Sequence, residues 1–231
     1  TCFDKTNGLL KIMAEGSTPW ITDVVVNAQS IHILGSGLNS TRPAHQAIHD
    51  LDQRGWRLVP IHPRDAGGSI LGRPIRPAID EGIIPEIVVL FLAPQRAKQA
   101  VTKMLMQYPQ DNFPVIWFQI GALDEDTEEM LEQSGLRFVS EDCIVRYIIR
   151  NDLHPNVKMN SSSWFRQISD EDGSGCSVWQ TFPKDAELMS TQLEWVGDLI
   201  DLEQSHHTIA RYIRSLQKSD ETLLETAMRL S

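Results

Sequence analysis

The residues best suited to chemistry in this 231-residue chain form one short passage. It runs Gly35-Ser36-Gly37-Leu38-Asn39-Ser40-Thr41-Arg42-Pro43 and follows the apolar run Ile31-His32-Ile33-Leu34 directly. Gly35 and Gly37 have no β-carbon, so the backbone can turn sharply there and approach a ligand closely. Pro43 suits the first turn of a helix, whose free amides and partial positive charge stabilise a phosphate. Ser36, Ser40, Thr41 and Arg42 add hydroxyls and a cation beside the turn. Ser40 stands where the dinucleotide pattern G-x-G-x-x-G has its third glycine. Placement after the first predicted strand, more than the incomplete pattern, therefore favours a nucleotide-type ligand over a plain tight turn.

The tip of the second predicted strand narrows the ligand. A site for NAD places an acid there, about 20 residues past the glycines, to hold the ribose hydroxyls. This chain reads Val59-Pro60-Ile61-His62-Pro63-Arg64. A cation at that tip suits a ribose phosphate, which NADP and coenzyme A both carry, and plain NAD is disfavoured.

These residues need elements to position them. Short apolar runs at 31–34, 57–62, 86–92, 114–120 and 136–139 read as strands, and 43–54, 95–107 and 125–134 as helices, the first closed by Gly55. Ser17-Thr18-Pro19-Trp20 reads as a helix start capped by Thr18. Alternating strands and helices, with nearly continuous apolar strands, predict a parallel sheet covered on both faces. The expected fold class is α/β: a doubly wound, mostly parallel Rossmann-like sheet with a C-terminal helical extension. Ligands of such sheets bind at the carboxyl ends of the strands.

The expected division is a leader over 1–17, a Rossmann-like domain over 18–150, and an acidic loop plus helical tail over 151–231. In the last part, Leu188, Gln192, Trp195, Leu199, Leu202, His206, Ile209, Ile213 and Leu216 recur at spacings of four and three. That pattern predicts one long helix from about Lys184 with a coiled-coil seam, suited to a homo-oligomer or protein-partner contact. Ser219 reads as the cap of a further short helix, and Trp164 and Trp179 are expected to pin the intervening Ser/Asp/Gly loop onto the sheet domain.

Composition sets the outer limits. Lys and Arg number 21 against 31 Asp and Glu, a net charge of −10, which disfavours a nucleic-acid partner. The first 150 residues carry −4 of this and the remainder −6, so the half with the glycine loop is nearly balanced. No apolar run reaches the roughly 18 residues of a membrane span, and no secretory signal pattern is present. Three widely spaced cysteines, Cys2, Cys143 and Cys176, form no disulfide framework or metal clip, so a cytoplasmic location with reduced thiols is expected.

Further pieces follow in order: Ile70-Leu71-Gly72, the run 88–94, Trp117-Phe118-Gln119-Ile120-Gly121, and Glu141-Asp142-Cys143-Ile144. Together with the glycine passage and the tip at His62-Pro63, these resemble the small CoA-binding proteins. They are similar to the CoA-binding domain of the succinyl-CoA synthetase alpha subunit, and the resemblance spans about 18–149. It implies that Gly35, Ser36, Gly37, Ser40, Thr41 and Arg42 hold the diphosphate of CoA or an acyl-CoA. It also implies that Arg64 holds the 3′-phosphate region, with Pro60, His62 and Pro63 among the cofactor-binding residues. Phe91, Leu92 and Pro94 would flank the adenine, with Gln119 and Gly121 along the pantetheine. The family's second strand usually ends Asn-Pro-Lys; here it ends His62-Pro63-Arg64, so the charge is kept and the Asn is not.

Bland roles are expected elsewhere. Cys143 reads as a small buried hydrophobe, His32 as a packed or edge histidine, His206-His207 as structural or surface residues, and Asp124 to Glu132 as the acidic first turns of a helix. No Ser-His-Asp order, H-E-x-x-H pattern or phosphohistidine loop is visible. The expected function is non-catalytic binding of CoA. The alternatives are an NADP(H)-binding redox protein or a scaffold subunit with a vestigial pocket, and no metal is expected.

Overall fold

The computed structural model describes residues 19–140, 142–169 and 177–231. The leader, Thr18 and most of the acidic loop lie outside these residues. In chain order the sheet domain comprises α1 (Pro19–Asn27), β1 (Ser30–Leu34), α2 (Pro43–Leu51), β2 (Arg57–Ile61), the small hairpin β3 (Ser69–Ile70) and β4 (Arg73–Pro74), β5 (Ile87–Leu90), α3 (Pro94–Gln107), β6 (Val115–Phe118), α4 (Glu125–Gln133), β7 (Phe138–Val139) and α5 (Ile144–Arg150). The main sheet has the order β2-β1-β5-β6-β7 with every pairing parallel.

Residue alternation decides the two faces. Ile31, Ile33, Ile87, Val89 and Trp117 pack with α1, α2 and α5 residues such as Val25, Ile48 and Ile148. Val88, Leu90, Ile116 and Phe118 pack with Val101 and Met104 of α3 and Leu131 of α4. Both faces are thus covered, as nearly continuous apolar strands require. The order runs outward in one direction from β1 and in the other from β5, so the topological switch point lies between the tips of these two strands.

Within this domain the expected elements form, with their ends shifted by up to three residues. The first crossover helix stops at Leu51, short of Gly55; Gln53 and Gly55 take positive φ values of 64° and 112° in the turn that follows. Asp124 caps α4 by accepting from the Thr127 amide at 2.9 Å, the helix-start role expected of that acidic run.

The tail departs from expectation. Instead of one long helix it builds an antiparallel sheet of β8 (Trp164–Ser169), β9 (Ser177–Phe182) and β10 (Leu193–Asp198), then three short helices, α6 (Leu199–Gln204), α7 (Thr208–Ser215) and α8 (Leu223–Arg229). Residues 195–198 pair with 164–167 of β8 and a register shift follows between Leu193 and Trp195, so this pairing across the sheet overrides the period of 3.5 read from more widely spaced residues. Gly197 packs against the Trp195 ring and the Asp201 side chain, and Asp198 begins α6 by accepting from the Ile200 and Asp201 amides. The seam residues Trp195, Leu202 and Ile213 close a small core with Phe165, so they form no exposed stripe for a second chain. The last helix is capped by Thr222 with Glu225, not by Ser219. Trp179 stacks between Phe165 and Trp195 at ring distances of 5.6 and 5.8 Å and so pins the tail to itself rather than to the sheet domain.

The two parts meet through ions. Arg57 on β2 and Arg76 after β4 share the carboxylates of Asp198 and Asp201 at distances between 2.6 and 3.0 Å. Asp80 receives the Trp195 indole at 2.9 Å and the Ser205 hydroxyl at 2.6 Å. The 186–191 segment also bonds to Ala66 and Ser69, which places the tail beside the chain that follows β2.

Candidate functional site

Three strand tips converge at the switch point. The ladder runs one residue past each strand: the Gly35 amide donates to Ile61 O at 2.9 Å, Phe91 to Leu34 O at 3.0 Å and Gln119 to Leu90 O at 3.3 Å. Gly35 has φ +99°, and a β-carbon there would lie 2.5 Å from the Phe91 carbonyl oxygen. Only glycine lets the first turn of the loop press against the β5 tip. Gly37 is needed for a different reason: the Asp65 carboxylate and the His62 ring occupy the space a β-carbon would take.

Much of the loop is already braced from within. The Ser36 hydroxyl, fully buried, donates to Ala44 O at 3.0 Å. His45 Nδ1 lies 2.8 Å from Gly37 O, and Asn39 Oδ1 accepts from both the amide and the hydroxyl of Thr41. Gln46 donates to Ser40 O at 2.7 Å. The Leu38 amide donates to Asp65 Oδ2 at 2.7 Å, and His62 Nδ1 stands 3.2 Å from that same oxygen.

The structure therefore brings Gly35, Gly37, His62, Phe91, Gln119 and Gly121 to one end of the sheet. Arg42, the residue before α2, and Arg64, beyond the β2 tip, are exposed and have no ion pair among the described residues. Ser40, Thr41, Pro63 and Pro94 are exposed at the rim, Leu92 is half-buried, and Pro60 is buried inside β2. The α2 and α3 helices both begin with Pro at the first turn and have no side-chain cap, which leaves their N-termini to other acceptors. Gln119 Nε2 is buried and without a hydrogen-bond partner. Such an orphaned donor is costly to leave unpaired, and it stands at the tip of β6.

The residues missed in the sequence are Asp65 and His45. Asp65 lies one position past Arg64, close to where a dinucleotide site carries its acid; His45 is hidden in the amphipathic pattern of α2. The pair Trp117 and Asp142 is a further case. The Trp117 indole donates to Asp142 O at 2.9 Å while Arg150 binds the Asp142 carboxylate at 2.6 Å. The two sequence pieces are thus tied to each other behind the sheet, and Cys143 is half-buried against the core.

Two other features lie away from the tips. An open cavity of about 280 Å³ at the start of β2 is lined by Arg57, Arg73, Arg76 and Lys158 among others, and by none of the predicted site residues. His32, inside β1, is buried with neither ring nitrogen hydrogen-bonded. Burial, then the charges of Arg57 and Arg76, push its pKa well below the usual 6.5 against an opposing pull from Asp198. Among the described residues no cluster of three or more His, Cys, Asp or Glu is placed for a metal, and no helix is long and apolar enough to cross a membrane.

A parallel sheet whose glycine turn sits at the switch point defines a Rossmann-like α/β domain. More narrowly, the chain belongs to the CoA-binding domain family, whose profile matches residues 29–148, just over half of its length. It is 22% identical over 133 residues to the Bacillus subtilis uncharacterized protein YneT, covering 57% of this chain and 94% of that one. A solved structure of a hypothetical protein from Pyrococcus horikoshii is 21% identical, with a TM-score of 0.50, covering 60% of this chain and 98% of that one. Another, from Thermus thermophilus, is 23% identical with a TM-score of 0.49, covering 57% of this chain and 96% of that one. YneT and the Pyrococcus horikoshii protein are thus matched almost from end to end, while about two fifths of this chain lies outside the matched stretch.

Proposed function

We propose that the chain binds coenzyme A or an acyl-CoA at the switch point and performs no chemistry on it. The glycine turn from Gly35 to Arg42 faces the diphosphate, Arg64 the 3′-phosphate, Phe91 to Pro94 the adenine, and Gln119 and Gly121 the pantetheine. The observation that carries the reading is the buried, unpartnered Gln119 Nε2 at the β6 tip. A pantetheine amide carbonyl passing that point would satisfy it, and the family membership supports CoA as its source. The turn that Gly35 permits, pressed against Phe91 at the β5 tip, holds the following loop at the switch point and so supports a diphosphate there. The acidic tail contacts a second copy or another protein through its outer face, and the protein works in the cytoplasm; the scattered cysteines support the latter.

A second reading, NADP(H) binding, draws on the same loop and on Arg64, since a ribose phosphate is common to both ligands. Calorimetric titration of the full chain with CoA, dephospho-CoA, NADPH and NADH separates the two. Tightest binding of CoA, weakened by loss of the 3′-phosphate, is the expected outcome. Tighter binding of NADPH than of CoA overturns the assignment, and equal binding of CoA and dephospho-CoA removes the role of Arg64.

A further inference from the structure

The loop amide that a bound diphosphate would claim is not free. Leu38 follows the second glycine of the turn, and its N–H is held at 2.7 Å by Asp65 Oδ2. A carboxylate carries the same sign of charge as a phosphate and accepts from the same donor. We propose that Asp65 is an internal competitor for the anion cradle: it must release Leu38 before a diphosphate takes that amide, and so it sets the affinity of the site.

Three observations support this. The backbone of Asp65 is held beside the loop, because the turn that carries it is itself hydrogen-bonded, with the Asp65 amide donating to His62 O at 3.2 Å and the Gly68 amide to Asp65 O at 3.2 Å. Gly37 has no side chain to keep the carboxylate away, and Asp65 Oδ2 and the His62 ring fill the space in front of it. The carboxylate can turn toward solvent, since 26% of the Asp65 side chain is exposed, while His62 Nδ1 stays 3.2 Å from Oδ2 in the bonded position. The segment that holds Asp65 continues through Ala66 and Ser69, which are bonded to 186–191 of the tail. A partner that shifts the tail would therefore move the competitor, giving the part of the chain outside the family domain a route to the site.

This inference rests on the CoA reading, and the test keeps the two apart. CoA and inorganic pyrophosphate are titrated into the wild-type chain and into Asp65→Asn, which keeps an acceptor for Leu38 but removes the charge; Asp65→Ser is the second variant should the first fold poorly by thermal melting. Removing one like charge at hydrogen-bond range from a half-exposed diphosphate is expected to tighten both ligands about tenfold. Binding of CoA that is unchanged or weaker in both variants overturns the proposal and makes Asp65 a brace or a ribose acceptor. Should CoA bind neither protein while pyrophosphate gains on Asp65→Asn, the competition stands and the CoA assignment falls. Should pyrophosphate also be unmoved, the competition falls with it.

Discussion

Arg76 donates to Asp201 twice, from Nε at 3.0 Å and from Nη2 at 2.6 Å, and through this pair the tail is fastened to the sheet domain. Neither side chain is exposed by more than 8%. Burial alone would raise the Asp201 pKa, but Arg57 and Arg76 outweigh it and hold the carboxyl well below the usual range. Removing one partner from such a buried pair leaves an uncompensated charge, at a cost of about 3–5 kcal/mol. Asp201→Ala is therefore expected to lower the urea midpoint by that equivalent. A depressed carboxyl stabilises fully above its unfolded value, about 3.9, and the contribution is lost as pH falls through the folded value. The wild type should accordingly lose more stability than Asp201→Ala between pH 4 and pH 2. A variant as stable as the wild type at pH 7 would show that the bridge does not hold the parts together.

His32 acts in a higher pH window. Its folded form stays neutral to well below pH 6.5, whereas the unfolded chain takes up the proton near 6.5. Its contribution is thus complete above that pH and declines as pH drops, by up to about 1.4 kcal/mol per unit. Neither ring nitrogen has a partner, so His32→Leu forfeits no hydrogen bond. The variant is expected to match the wild type at pH 8 and to show a shallower loss of stability between pH 6.5 and 5, read from urea midpoints. Parallel slopes for the two proteins would remove His32 as the source.

The sheet domain was legible because its signals are local. Four of the five strands of the main sheet are apolar runs with a Gly or Pro within four residues of the end, and four of the five helices start at a Pro or behind an Asp cap; β7, followed by Ser140, and α5, preceded by Cys143, lack these signs. The tail is not legible in this way because Leu188, Trp195, Leu202 and Ile213 fit a heptad by spacing, while 193–198 is a strand by pairing with β8, where Phe165 lies opposite Gly197, distant in sequence. The capping box Asp198–Asp201 was the local sign that a helix begins there and not earlier. In the candidate site the glycines and strand tips could be placed from order alone. Asp65 could not, because its role comes from the turn that swings it back onto Leu38.

Two glycines at the tips separate strain from sterics. Gly35 and Gly121 both have positive φ, +99° and +78°, but only Gly35 faces backbone; nothing lies within 4 Å of a β-carbon on Gly121. Gly121→Ala should cost only the conformational strain, about 1–2 kcal/mol. Gly35→Ala should cost more and also weaken CoA binding, since Phe91 or the loop must shift by enough to spoil the cradle. Thermal melts and calorimetry on both variants check this. Equal losses in the two would mean that the Gly35–Phe91 approach does not matter.

The two exposed arginines should fail in different ways. Arg64 is assigned to the 3′-phosphate and Arg42 to the diphosphate, so dephospho-CoA, which lacks only the former, distinguishes them. Arg64→Ala is expected to weaken CoA roughly fivefold, about 1 kcal/mol for one charge-assisted contact at an exposed position, and to leave dephospho-CoA unchanged. Arg42→Ala should weaken both ligands alike. The Arg64 effect should also shrink between 50 and 500 mM salt, because an exposed pair is screened over a Debye length. If Arg64→Ala weakens both ligands equally, the cation lies at the diphosphate, and the adenine end of the ligand must be sought along another strand tip.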